Sequence, residues 1–305
     1  EAGLADVTVP HVFDDVAPAL ALSDLDGVII ATPTSTHGDL VVRAAEAGKA
    51  IFCEKPLALT REETDRALKT VKQADVPLQV GFMRRFDEAY QEVRGHIQAG
   101  GIGRPLTFKS IGRDPVCPDP AFADPSHSGG LILDMAIHDF DLARWLMGKE
   151  VERVSAEGSL LVCDELQTAN DIDNAVVTLA FEGGALGSVE VSRTASYGYD
   201  VRTEVLGSEG LVRVPAGQEN SSTLIRDEGG GNDRYLTKRF GEAYRAQLHH
   251  FVECVRTERT PSVTGADAKA AFEIGLAATF AVRTEASVSL EAVREGWSPD
   301  PVSSN

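Results

Sequence analysis

From residue 27 to residue 82 the chain alternates short, unbroken apolar runs with longer amphipathic stretches. Val28-Ile29-Ile30-Ala31 reads as a strand covered on both faces. A helix from about Gly38 to Ala47 follows and stops at Gly48. The next strand is Ala50-Ile51-Phe52-Cys53. Thr60, with Glu63 three positions on, forms a capping box that opens a further helix with Ala67, Leu68 and Val71 on its inner face. Pro77 breaks the chain before the strand Leu78 to Phe82. This β-α-β-α-β rhythm predicts a parallel sheet with right-handed crossovers.

The pattern changes after residue 83. A helix is expected over Tyr90 to Ile97 and a strand over Pro105 to Ser110. Pro115, Pro118, Pro120 and Pro125 mark a long loop, the kind of segment that is often functional. A helix carrying Asp134 and His138 then runs to Met147-Gly148. Strands follow at Val151 to Leu161, Ala175 to Phe181, Leu186 to Ser192, Val201 to Leu206, Leu211 to Val214 and Thr223 to Arg226. Glycines punctuate them, so an antiparallel sheet is expected. Ala175 to Leu179 and Val189 to Val191 are too apolar for a solvated outer face, which predicts a second contact for the sheet. Gly229-Gly230-Gly231 reads as a flexible turn, and helices at about Tyr244 to Arg256 and Ala266 to Arg283 close the chain.

Length and composition narrow the class. The 305 residues suit two domains. A net charge of −18, from 29 basic and 47 acidic residues, excludes nucleic acid and anionic membrane surfaces as partners. No apolar run approaches a membrane span. Cys53, Cys117, Cys163 and Cys254 show no metal-type spacing and read as reduced thiols of a cytoplasmic protein.

Three residues carry the candidate chemistry. Lys55 sits in Glu54-Lys55-Pro56 at the end of an apolar strand, where a cation can stabilise a developing alkoxide. Asp134 and His138, four apart, stack on one face of a helix. The imidazole suits general-base work near neutral pH, and the carboxylate can orient it. Together they point to oxidation of an alcohol. Asp139 and Asp141 lie on other faces, and Asp141 is expected to pair with Arg144. With one histidine and no second one in register, the cluster is not expected to bind metal.

Thr32-Pro33-Thr34-Ser35-Thr36-His37, Cys53-Glu54-Lys55-Pro56-Leu57, Gly81-Phe82-Met83-Arg84-Arg85 and Gly129-Gly130…Asp134-x-x-x-His138 occur in that order. This set resembles the glucose–fructose oxidoreductase / inositol dehydrogenase family. With Arg113-Asp114-Pro115 and Tyr197-Gly198-Tyr199-Asp200 it is most similar to the inositol 2-dehydrogenases. Asp114 departs from the asparagine often found there, and Cys117 to Ser128 has no counterpart in the pattern.

The resemblance implies an NAD(P)-binding Rossmann domain over 1–82 and a substrate-binding and oligomerisation α+β domain, with a large mainly antiparallel sheet, over 83–305. It implies a homo-oligomer, dimer or tetramer, that oxidises a cyclic polyol with NAD, NADP remaining open. Lys55, Asp134 and His138 are then catalytic. Thr32, Pro33, Thr34, His37, Glu54, Lys55 and Arg84 would hold cofactor, with Glu54 alternatively paired to Lys55. Met83, Arg84, Asp114, Asp134, Met135, His138, Tyr199 and Tyr244 would hold substrate. Arg84 has a second reading as a domain-interface ion pair, and Tyr199 and Tyr244 as core aromatics. No G-x-G-x-x-G precedes the first β/α unit, so about 50 further N-terminal residues carrying it are expected. The alternatives are a related sugar dehydrogenase, or a cofactor-less binding protein that has lost that turn.

Overall fold

The computed structural model describes residues 10–215 and 235–299. Strand Thr223 to Arg226 and the turn at 229–231 lie outside them. After a short helix α1 (Val16–Leu20), strand β1 (Gly27–Ile30), helix α2 (His37–Glu46), β2 (Ala50–Cys53), α3 (Arg61–Ala74) and β3 (Leu78–Val80) build a parallel sheet in the order β1-β2-β3. The Thr60–Glu63 capping box forms as expected, and Ala67 on the inner face of α3 is fully buried. On the sheet's other side Phe52 meets Phe251, ring centroids 5.9 Å apart, from α8 (Tyr235–Arg256).

Helix α4 (Glu88–Gln98) leads into β4 (Pro105–Arg113). The proline-rich segment folds into two short helices, α5 (Pro120–Ala123) and α6 (Pro125–Ser128), and α7 (Ile137–Met147) follows. Strands β5 (Val151–Ser159), β6 (Asn174–Phe181), β7 (Leu186–Ser192), β8 (Asp200–Gly207) and β9 (Leu211–Val214) come next. After α8 the chain closes with α9 (Gly265–Thr284), β10 (Val288–Ser289) and α10 (Leu290–Arg294). The second sheet has seven strands in the order β10-β5-β6-β7-β4-β8-β9. It is mixed rather than wholly antiparallel, because β4 inserts between β7 and β8 and runs parallel to β7. Helices α7 and α9 cover one face.

Three local expectations are corrected. Asp134 does not lie in a regular α-helix: Ile132–Ala136 form a wider π-helical turn, and α-helical geometry begins at Ile137. Asp141 pairs with Arg85, whose Nε donates at 2.8 Å, while Arg144 turns to Glu150 at 2.6 and 2.7 Å. Helical spacing showed which side chains share a face, but a longer-range partner outcompeted the neighbour. Finally, Cys117 and Cys163 form a disulfide with Cα atoms 5.8 Å apart. Such bridges are rare in reducing compartments, so the reading of reduced thiols holds only for Cys53 and Cys254, both buried and free. Among the described residues no helix is long and apolar enough to cross a membrane.

Candidate active site

Ligands of open parallel sheets gather at the carboxyl ends of the strands. Here β1 and β2 end in two loops, 32–36 and 54–57. His37 is buried between them, its ring nitrogens 2.9 Å from the Thr32 carbonyl and 2.8 Å from that of Pro56. The imidazole therefore ties one loop to the other and offers no ring nitrogen to a ligand. Thr32 and Pro33 stay exposed and Thr34 half-buried. The second loop contains a cis peptide between Lys55 and Pro56. Glu54 lies against the glycine that opens the Gly81-Phe82-Met83-Arg84-Arg85 motif. A Cβ on Gly81 would come within 2.5 Å of the Glu54 carboxylate, which would have to move aside. Burial pushes this carboxyl above the usual range, against the pull of Lys55.

Lys55 does not pair with Glu54. Its ammonium crosses to the other sheet's side and donates to Asp134 twice, to the main-chain carbonyl at 2.6 Å and to Oδ1 at 3.0 Å. An ammonium has three N–H groups, so one is left to face the cavity. Burial alone would raise the Asp134 carboxyl. Lys55 and Arg193 outweigh it and hold the group below its ordinary value. His138 is buried edge-on against Phe82, and its Nδ1 is enclosed with no hydrogen-bond partner among the described residues. Burial first, then the charges of Lys55 and Arg84, hold its pKa well below 6.5. The result is a neutral imidazole beside an ammonium and an ionised carboxylate.

These groups line a cavity of about 260 Å³. Met83, Arg84, Asp114, Asp134, Met135, His138, Tyr199 and Tyr244, expected to touch substrate, all border it, as does Lys55. Gly112, Arg113, Phe122 and Val201 border it too and were not foreseen. Phe122 comes from the proline-rich segment already marked as functional; β-strand periodicity carries no signal for the other three. Arg84 is held by Asp139 at 2.6 Å in a buried pair, with Ser110 donating to the same oxygen at 2.6 Å. Both partners lie in the 83–305 half, so this buried pair is not the domain-interface pair of the second reading, and Arg84 keeps its place in the cavity wall. Burial raises the pKa of Asp114, helped by Asp134, and likewise the phenols of Tyr199 and Tyr244. A cavity smaller than about 300 Å³ lies at the low end for small-molecule sites, and its wall is rich in hydroxyl-binding groups.

The donor set fits the nicotinamide–ribose end of a dinucleotide. Exposed backbone at Thr32–Thr34 and the Glu54 carboxylate form a polar rim, and Lys55 belongs to both rim and cavity.

Residues 2–82 match the family model of an oxidoreductase family with an NAD-binding Rossmann fold, and residues 90–213 match the GFO/IDH/MocA C-terminal domain. The chain is 44% identical over 272 residues to scyllo-inositol 2-dehydrogenase (NAD(+)) of Bacillus subtilis, covering 88% of this chain and 79% of the relative. It is 41% identical to myo-inositol 2-dehydrogenase of Thermotoga maritima, covering 88% and 81%. The structure of scyllo-inositol dehydrogenase from Lactobacillus casei with bound NAD(H) and scyllo-inositol superposes with a TM-score of 0.81 at 29% identity, covering 92% of this chain and 84% of that one.

Proposed function

The chain belongs to the GFO/IDH/MocA family of NAD-binding oxidoreductases, and we propose that it oxidises a secondary hydroxyl of a cyclic polyol, myo-inositol to 2-keto-myo-inositol. The observation that carries this is the meeting of Lys55, Asp134 and His138 on one cavity beside the carboxyl end of β2. In this reading the neutral His138 takes the proton of the bound hydroxyl at the ring nitrogen facing the cavity. The remaining N–H of Lys55 donates to the same oxygen and stabilises the alkoxide as it develops. Asp134, kept ionised, anchors the ammonium from behind. Asp114, Arg84, Tyr199 and Tyr244 address the other hydroxyls, while Met83 and Met135 supply apolar wall. Thr32, Pro33, Thr34 and Glu54 would hold NAD, which when bound would accept the hydride.

The inositol names of relatives above 40% identity support the substrate class. We place the division between cofactor and substrate halves near residue 82, where β3 gives way to Met83 and Arg84 in the cavity wall. We further infer a homo-oligomer assembled on the open face of the seven-stranded sheet. The test of function is turnover of the purified protein on myo-inositol, scyllo-inositol and a panel of aldoses, each with NAD and NADP, followed by reduced-nicotinamide absorbance. NAD-linked oxidation of an inositol is expected. Turnover confined to aldoses, or none on any polyol, defeats the proposal.

A further inference from the structure

Two charged residues outside the cavity grip the segment that carries its reactive groups. Arg193 lies just past the end of β7, its side chain only 2% exposed. Its guanidinium reaches Asp134 Oδ2 at 3.3 Å and Asp171 Oδ2 at 2.8 Å. Asp171, in the connection between β5 and β6, accepts the Leu131 backbone N–H on both oxygens at 3.0 and 3.2 Å. Leu131 is the residue immediately before the π-helical turn. The approach depends on Gly130, which is left-handed at φ +71°; a Cβ there would stand 2.7 Å from Asp171 Oδ1. Charges thus alternate along a row, Asp171, Arg193, Asp134, Lys55, with each inner member touching both neighbours.

We propose that Arg193 and Asp171 are positioning residues for the oxidation. Together they lock the Asp134 carboxylate, and the turn that bears it, where it aims Lys55 at the substrate hydroxyl. The physical case is a matter of compensation. A buried guanidinium is costly unless paired, and here both partners hold the machinery: one carboxylate anchors Lys55, the other the N-terminal end of the reactive segment. Without Arg193, Asp171 would lose its cation and Asp134 would keep Lys55 alone. Asp134 would then bind a proton more readily and hold Lys55 less firmly. Displacement of a reacting group by about 1 Å can cost roughly 10²-fold in rate.

The inference rests on the proposed oxidation only where turnover is read, so the experiment includes an arm that needs none. Arg193→Met, Arg193→Lys and Asp171→Asn are compared with the wild type on an inositol and NAD. Arg193→Met should lower kcat by about 10²-fold with NAD affinity unchanged. It should also add to the acid side of the kcat/KM profile, beyond the limb assigned to His138, an inflection from Asp134, because Asp134 has lost a cation that favoured its ionised form. Arg193→Lys should recover part of both effects, and Asp171→Asn should lose kcat in the same sense. In protein labelled with carbon-13 at aspartate carboxyls, the Asp134 resonance should titrate at higher pH in Arg193→Met. A wild type inert toward every polyol refutes the functional reading alone, and the titration still decides the positioning role. Wild-type kcat, pH profile and Asp134 titration in a variant that only melts earlier overturn it. If Arg193→Met does not fold, the same outcomes in Arg193→Lys and Asp171→Asn decide.

Discussion

In the proposed mechanism one enclosed side chain, His138, bears on both rate and stability. With its pKa held well below 6.5 by burial and by the nearby cations, it is neutral throughout the physiological range. The folded group resists a proton that the unfolded chain accepts near pH 6.5, so this contribution to stability is intact above that pH and declines as pH falls below it. The base is ready at neutral pH, and the acid limb of kcat/KM attributable to it should lie below 6.5. His138→Ala should lower kcat by about 10²–10⁴-fold and abolish that limb, leaving NAD affinity nearly unchanged. Lys55→Met should also cripple turnover, and the double variant should lose less than the product of the two, since both serve one transition state. Steady-state kinetics with a fluorescence titration of reduced cofactor check all of this. Wild-type turnover in His138→Ala would show that the proton goes elsewhere.

At the level of elements, the segment between β4 and the reactive turn is built from short, individually weak pieces. Helices α5 and α6 each begin with an aspartate cap and a proline, Asp119 accepting the Ala121 N–H and Asp124 that of Ser126, both at 2.8 Å. Four-residue helices have little stability of their own. The segment is tied down by the Cys117–Cys163 bridge, whose sequence separation is 46, and it delivers Phe122 to the cavity. Chain entropy makes such a loop closure worth about 4 kcal/mol in the unfolded state. Replacing both cysteines with serine should therefore lower the melting temperature and raise KM for the polyol several-fold, with kcat changed less, because Phe122 shapes the pocket without touching the proton path. Calorimetry and steady-state kinetics on the oxidised protein are the measurements. An unaltered KM would show that the segment holds Phe122 without the bridge.

For the whole molecule, the decisive feature is the sheet face away from α7 and α9. Register aligns Ala180, Leu186, Thr107, Leu206 and Leu211 across β6, β7, β4, β8 and β9. Leu186, Leu206 and Leu211 are 52%, 40% and 45% exposed, and Val176 on the same face is 53% exposed. The apolar runs Ala175 to Leu179 and Val189 to Val191 explain less of this than expected. The pleat turns Ala175, Val177, Leu179, Val189 and Val191 inward, and the open face owes its character to other residues. Exposed apolar rows of this kind are where protein–protein contacts commonly form, which is why the proposed oligomer is placed here, and obligate dimers commonly bury more than about 2,000 Å². Sedimentation at micromolar concentration should show a dimer or tetramer, and Leu186→Glu with Leu206→Glu should convert it to monomer. A wild type that sediments as a monomer would rule out this assembly.

The amino-acid sequence on its own determined most of the elements and pointed to the residues that share the cavity. Periodicity located β2 and α3, the Thr60–Glu63 box marked where α3 begins, and β7 and β9 were placed to the residue. The ordered motifs singled out Lys55, Asp134 and His138, which the fold brings to one cavity. Tertiary structure alone decided what those elements touch. It put β4 between β7 and β8, sent Asp141 to Arg85 instead of Arg144, joined Cys117 to Cys163, turned His37 into a brace between loops, and set Arg193 and Asp171 behind Asp134. The reason is physical. Hydrophobic spacing records which face of a strand or helix is buried, a property of neighbours along the chain. The partner across a buried contact is chosen by loop closure and packing among residues far apart in sequence, and no local pattern encodes that choice.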